Sequence, residues 1–225
     1  MPSTPHDSPA RAVPPTSRRR DAARNREILI AAARTLFARE GLNVPLDRIA
    51  KAAGVGNATL YRHFPTRDAL IEEIFADTST VFDRAAAEAL AEPDGWRALC
   101  GYFERIFTLV AGDRGLNDLV TATARDSRFL AELSERNAAT VTTLVTRAQE
   151  QHTVRADVTT MDLLILMGPL VRAMPALTDQ HPDGWRRPLA LLLDAFRPTA
   201  GTHTLPGAPV DPEHLEEAFY RLWDA

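Results

Sequence analysis

One cysteine, Cys100, stands among 225 residues, so no disulfide can form within the chain and a reducing cytoplasm is the expected setting. Cys100 itself is expected to be a small buried apolar residue, not a redox group. No apolar run approaches the roughly 20 residues needed to span a bilayer, so no membrane partner is expected. The N-terminal arginines have no apolar stretch behind them, which argues against a secretory signal. There are no internal repeats and no alternating strand pattern. The chain also lacks HExxH, paired cysteines, GxxxxGK and GxSxG, the common signatures of metalloprotease, zinc-ribbon, phosphate-cradling and serine-hydrolase chemistry. Its histidines, His6, His63, His152, His181, His203 and His214, are scattered and form no pair at metal-ligand spacing. No catalytic residue, metal or cofactor is therefore expected.

Lysine is nearly absent as well. Lys51 is the only one and arginine supplies the rest of the basic charge, a bias read as genomic composition. The net charge of −4 conceals an asymmetry: residues 1–67 carry 12 Arg and Lys against 5 Asp and Glu, while the remainder is strongly acidic. A basic front on an acidic body suggests a polyanion partner for the front alone. It also disfavours a nonspecific DNA-packaging protein.

Residues 1–17, rich in Pro, Ser and Thr without apolar periodicity, are expected to be a disordered tail. A helix is predicted from about Ala23 to Glu40, with Leu29, Ala33, Leu36 and Phe37 on one face and Gly41 closing it. Asn43 is expected to cap the next helix, with Pro45 in its first turn.

Residues 45–64 are the most informative stretch. Ile49, Ala50 and Ala53 give a short helix an apolar stripe, and Gly54 ends it. Val55 can plug the space before a second helix that opens on Gly56, Asn57, Ala58 and Thr59, small and polar. Leu60 and Phe64 face inward, four apart. A helix anchored on one face and bare at its tip is what entry into the DNA major groove requires. Gly56 or Asn57 also suits a plain cap. Thr66 is expected to cap a fourth, long helix, with Asp68 in its first turn and Leu70, Ile71, Ile74, Phe75, Val81 and Phe82 continuing one stripe into the body.

The rest reads as helices only, at about 94–111, 115–124, 127–151, 159–177, 184–197 and 211–223. Asp126 or Ser127 suits a cap, Thr159 with Asp162 resembles a capping box, and Asp211-Pro212 a cap and first turn. Leu163–Met167 with Leu170 and Val171, and Leu189–Leu193 with Phe196, are apolar almost all round and need burial on more than one side. Pro169 is expected to kink the first of these helices, whereas Pro188 falls near the first turn of the second.

With its Ala-Gly-Val-Gly-Asn-Ala-Thr-Leu-Tyr-Arg-His-Phe stretch at 53–64 and Arg67-Asp68 opening the next helix, the chain resembles a TetR-family transcriptional regulator. The likeness is sharp over about 24–72 and architectural beyond. It implies an all-α fold: a helix-turn-helix DNA-binding domain at 18–67 (helix-turn-helix about 45–64) and a helical ligand-binding and dimerisation domain at 68–225. It also implies base contacts from Asn57, Ala58 and Thr59, with Gly56 and Ala58 permitting close approach, and phosphate contacts from Tyr61 and His63. Arg62 would reach base or phosphate, and Arg67 combines positive charge with free backbone N–H groups as a phosphate seat. Arg48 and Lys51 are weaker candidates. Asp47 departs from the residues usual on that helix, and Pro45 replaces a hydroxyl donor.

Arg18, Arg19 and Arg20, with Arg24, suit either an arm entering the minor groove or a solvated tail. In the family, two penultimate helices form the dimer face. That places Leu163, Leu166, Leu170, Leu189, Leu192, Leu193 and Phe196 at a homodimer interface, the alternative being plain core. The family's effector pocket would draw on Trp96, Tyr102, Phe103, Phe107, Arg125, Met161, Met167 and Met174, each of which also reads as ordinary core or, for Arg125, as a surface ion pair. The expected partners are a pseudo-palindromic duplex operator, a small-molecule effector and a second copy of the chain. Control by a protein partner, constitutive action and activation are the competing readings.

Overall fold

The structure, a computed structural model, describes residues 15–121, 128–198 and 204–208. Residues 1–14 of the expected tail, Arg125, the Asp126 or Ser127 cap and the helix at 211–223 lie outside the described residues. Among those described there are helices and no strands.

The first helix, α1 (Pro15–Glu40), begins eight residues before the expected Ala23, so 15–17 belong to a helix and not to the tail. Proline suits a helix start, where its missing N–H removes nothing that would be bonded. Residues 18–20 are thus carried on a helix, not on an extended arm. Gly41 ends α1 at φ +83°, its N–H on the Phe37 carbonyl. α2 (Leu46–Ala52) and α3 (Asn57–His63) follow, separated by Gly54 at φ +68°. The N-cap of α2 is Pro45, with no side-chain cap, so Asn43 does not serve. Leu29, Ala33, Phe37, Ile49, Leu60, Phe64 and Leu70 close a core between α1 and these two short helices.

α4 (Arg67–Phe75) starts at Thr66, whose hydroxyl accepts the Ala69 N–H as expected. It does not run on through Phe82. The helix breaks at Ala76–Asp77 and resumes as α5 (Thr78–Ala91). Arg34 of α1 reaches across to the Ile74 carbonyl (3.3 Å) and the Asp77 carboxylate (3.1 Å) at that point.

The body adds α6 (Gly95–Ala111), α7 (Arg114–Thr121), α8 (Arg128–Glu150), α9 (Thr160–Arg172), α10 (Met174–Thr178) and α11 (Arg186–Ala195). The Thr159–Asp162 capping box is complete. The helix expected over 159–177 is two pieces, because Pro175 cannot donate to the Val171 carbonyl four residues earlier. That orphaned carbonyl takes the Asn117 side-chain amide at 2.7 Å, and Asn117 is almost wholly buried. Asn117→Ala is therefore expected to lower stability by about 1–3 kcal/mol, read by urea unfolding, since a buried acceptor loses its partner.

α5, α6 and α8 pack together, and α7 sits between α1, α6 and α9. Tyr102, Phe107, Leu144, Leu163 and Trp185 are among the largest fully buried side chains of this bundle. Gly95 lies so close to α8 that a Cβ there would stand 2.7 Å from the Ala148 Cα, which explains a glycine at the first position of α6.

Candidate nucleic-acid interface

The short helix α3 buries one side and bares the other. Leu60 and Phe64 are buried, while Asn57, Ala58, Tyr61 and Arg62 are exposed and Thr59 is half-buried. Gly56 is the N-cap and uses no side chain, so Asn57, at the first helical position, keeps its amide free of a capping role. Tyr61 is 52% exposed on this open side.

The inner side is held from two helices. The Arg26 guanidinium lies over the Phe64 ring at 5.3 Å and pairs with Glu73 of α4 at 2.7 Å. His63 is half-buried, and its Nε2 is enclosed without a hydrogen-bond partner. Burial, then the charges of Arg62 and Arg26, pull its pKa below the ordinary histidine value, so the ring is neutral at pH 7.

The remaining expected contacts are distributed unevenly. Lys51 is exposed at the end of α2. Arg48 is engaged by Glu40 through two hydrogen bonds, 2.7 and 3.1 Å, which hold the Glu40 carboxyl below its usual range. Arg67 is half-buried, one guanidinium nitrogen bonded to the Leu42 carbonyl at 2.5 Å. Neither bond was legible in the spacing of the sequence, because both partners lie in the α1–α2 connection or at its edge.

In the body, Leu163, Leu189, Leu193 and Phe196 belong to the chain's own core, since α9 and α11 turn them inward. Leu166 is 44% exposed, and Leu170 and Leu192 are half-buried and packed against the core. Leu191, not singled out in the sequence, is 62% exposed. Among the expected pocket residues, Tyr102, Phe103, Phe107, Met167 and Met174 are buried and Trp96 and Met161 half-buried. Tyr102 borders a cavity of about 10 Å³, room for about one water. Its hydroxyl donates to Asn137 at 2.7 Å, and burial, with Asp83 nearby, pushes its pKa up to about 12. A wider groove of about 430 Å³ lies where α1 meets the α4–α5 break, and none of the expected pocket residues lines it. Cys100, half-buried, has its thiol pushed up to about 11, chiefly by burial, and stays protonated.

Comparison with known proteins agrees with this architecture. The model for bacterial regulatory proteins of the tetR family matches residues 29–74, and that for the C-terminal domain of SbtR-like transcriptional regulators matches 94–198. The TetR transcriptional regulator SCO0520 of Streptomyces coelicolor is 31% identical, with 78% of this chain and 99% of that one covered and a TM-score of 0.52. The HTH-type regulator EthR of Mycolicibacterium smegmatis is 26% identical over 168 residues, 71% of this chain and 77% of the relative. FadR of Bacillus subtilis, solved with stearoyl-CoA, is 18% identical, with 79% and 99% covered and a TM-score of 0.59, a likeness of fold alone. The chain belongs to the TetR family of DNA-binding transcriptional regulators.

Proposed function

We propose that the chain is a homodimeric repressor that leaves a pseudo-palindromic operator when a small apolar or amphipathic molecule enters its body. The observation that carries the DNA half of this reading is the division of α3: two buried anchors, Leu60 and Phe64, against an open face of Asn57, Ala58, Tyr61 and Arg62. Asn57 would pair with a base edge, and Thr59 would offer its hydroxyl to a base and its methyl to thymine. Tyr61, His63 and Arg67 would fix the register on phosphates. With Arg48 tied to Glu40, Lys51 is the freer cation of α2.

The outer leucines of α9 and α11 support the dimer, since two copies are needed to read two half-sites. The effector half rests on the buried aromatic and methionine-lined body and on the family's habit. The small cavity beside Tyr102 and Asn137 would have to widen for a ligand, which would meet Phe82, Ala86 and Leu133 on one hand and the Tyr102–Asn137 and Asp83–Arg136 pairs on the other. A larger ligand would then act by preferring the state whose two α3 helices no longer fit successive major grooves. The lipid-linked ligand of the Bacillus subtilis neighbour makes long-chain acyl compounds sensible first probes.

A reporter tests the sign. A duplex enriched by the purified protein from a randomised pool is placed across a promoter. Transcript is expected to fall when the protein is supplied and to recover with an effector; a rise on supplying the protein would make it an activator.

A further inference from the structure

Helix α7 has no part in the reading above, yet it carries the only two buried polar side chains among the described residues, Asn117 and Thr121. Two consecutive residues of this helix grip different parts of the molecule. Asn117 holds the orphaned Val171 carbonyl at the end of α9. Asp118 accepts the Leu42 backbone N–H at 2.8 Å, in the connection between α1 and α2.

That second grip is built into the backbone. Gly41 sits at φ +83°, and a Cβ on it would stand 2.2 Å from the Asp118 carboxylate oxygen, so the turn admits the carboxylate only because the residue is glycine. Gly115, one turn earlier on α7, lies so near α1 that a Cβ would be 3.0 Å from the Phe37 carbonyl oxygen. The helix is therefore seated directly on the end of α1. Leu42 then passes the contact on: its carbonyl accepts the Arg67 guanidinium at 2.5 Å.

We propose that Asp118 is a positioning residue for DNA binding, setting Arg67 at the start of α4 through Leu42 and tying that placement, through Asn117, to α9. The proposal rests on the reading of Arg67 as a phosphate contact. Arginine has five N–H donors in a rigid fork, so one spent on Leu42 leaves others to meet a phosphate in a fixed direction. Without the carboxylate, the Leu42 N–H loses its acceptor, and the turn is left with the Gly41 N–H bond to Phe37 and the Arg67 bond it is meant to direct. The carbonyl that aims Arg67 then moves with the turn. Because residues 117 and 118 share one rigid helical segment, a shift of α9 would reach Arg67 by the same route.

The test measures binding to a duplex selected from a randomised pool by the wild-type protein, over a range of salt. Asp118→Ala is expected to weaken binding about tenfold and to reduce the salt slope by about 0.9, the share of one phosphate contact. Asp118→Asn, which keeps an oxygen acceptor, should retain the wild-type slope. Arg67→Ala should behave as Asp118→Ala does, and the double variant no worse than Arg67→Ala alone. A merely structural role would lower thermal stability and leave the slope unchanged. Asp118→Ser, whose hydroxyl is too short to reach the Leu42 N–H, is a second route to the same loss should Asp118→Ala fail to fold. A wild-type slope in either variant, or additive losses in the double, overturns the proposal while leaving the DNA-binding reading intact. A wild-type protein that enriches no duplex overturns both.

Discussion

Replacing Leu166 and Leu191 together by arginine is expected to make the protein monomeric and to weaken operator binding by about 10²–10⁴-fold. Both side chains stand on the outer side of two helices that pack on each other, α9 and α11, and they are among the most exposed large apolar groups described. A leucine hidden from water gains roughly 1.5–3 kcal/mol, and a dimer would collect that gain twice over for each position. An unpaired guanidinium at the same place must instead lose its hydration. The chain itself should fold normally, because neither leucine supports its own core and exposed substitutions seldom exceed about 0.5 kcal/mol. Light scattering on the purified variant reads the mass, and a gel shift reads the affinity. The affinity falls because each monomer holds one half-site without the local concentration that a tethered partner provides. A variant that stays dimeric would move the interface elsewhere on the surface.

Two substitutions on α3 should fail in different ways. Tyr61→Ala is expected to weaken binding to all duplexes about 10–100-fold and evenly, with the salt slope unchanged, because it removes an uncharged phosphate contact that carries no sequence information. Asn57→Ala should cost about 1–3 kcal/mol on the preferred duplex, relax the choice of base at one position in each half-site, and leave the salt slope unchanged. Neither change should disturb folding. Tyr61 is half in solvent, and Asn57 is exposed one residue inside a helix capped by Gly56 without side-chain help. Competition among duplexes differing at single positions separates the two outcomes. The same change in base preference for both variants, or none for either, would contradict the division of labour along this helix.

What the sequence disclosed was whatever is written locally. Gly41 and Gly54 stand where positive φ is needed, Thr66 caps α4, and the Thr159–Asp162 box forms. The inward pair Leu60 and Phe64 follows from helical spacing alone. The break between α4 and α5 was hidden because Ala76 and Asp77 are ordinary helical residues with helical backbone angles. Arg34, about 40 positions earlier, meets the chain there through the Ile74 carbonyl and the Asp77 carboxylate, a contact no local pattern announces. The two apolar helices announced burial on more than one side, but periodicity does not say which leucine meets which neighbour. Leu163, Leu189 and Leu193 turned out to face their own core, and Leu166 and Leu191 to face out. Asp118 gave no signal at all: a single acid on a short amphipathic helix looks like any solvated face until the Leu42 N–H is seen beside it.

Hydroxyl-radical footprinting of the wild-type protein on a duplex enriched from a randomised pool tests the central claim most directly. The account predicts two protected patches related by a dyad, centred about 34–36 Å apart on one face of the helix, with two chains bound per duplex. One patch with a single chain bound, or even protection that ignores sequence, would contradict it.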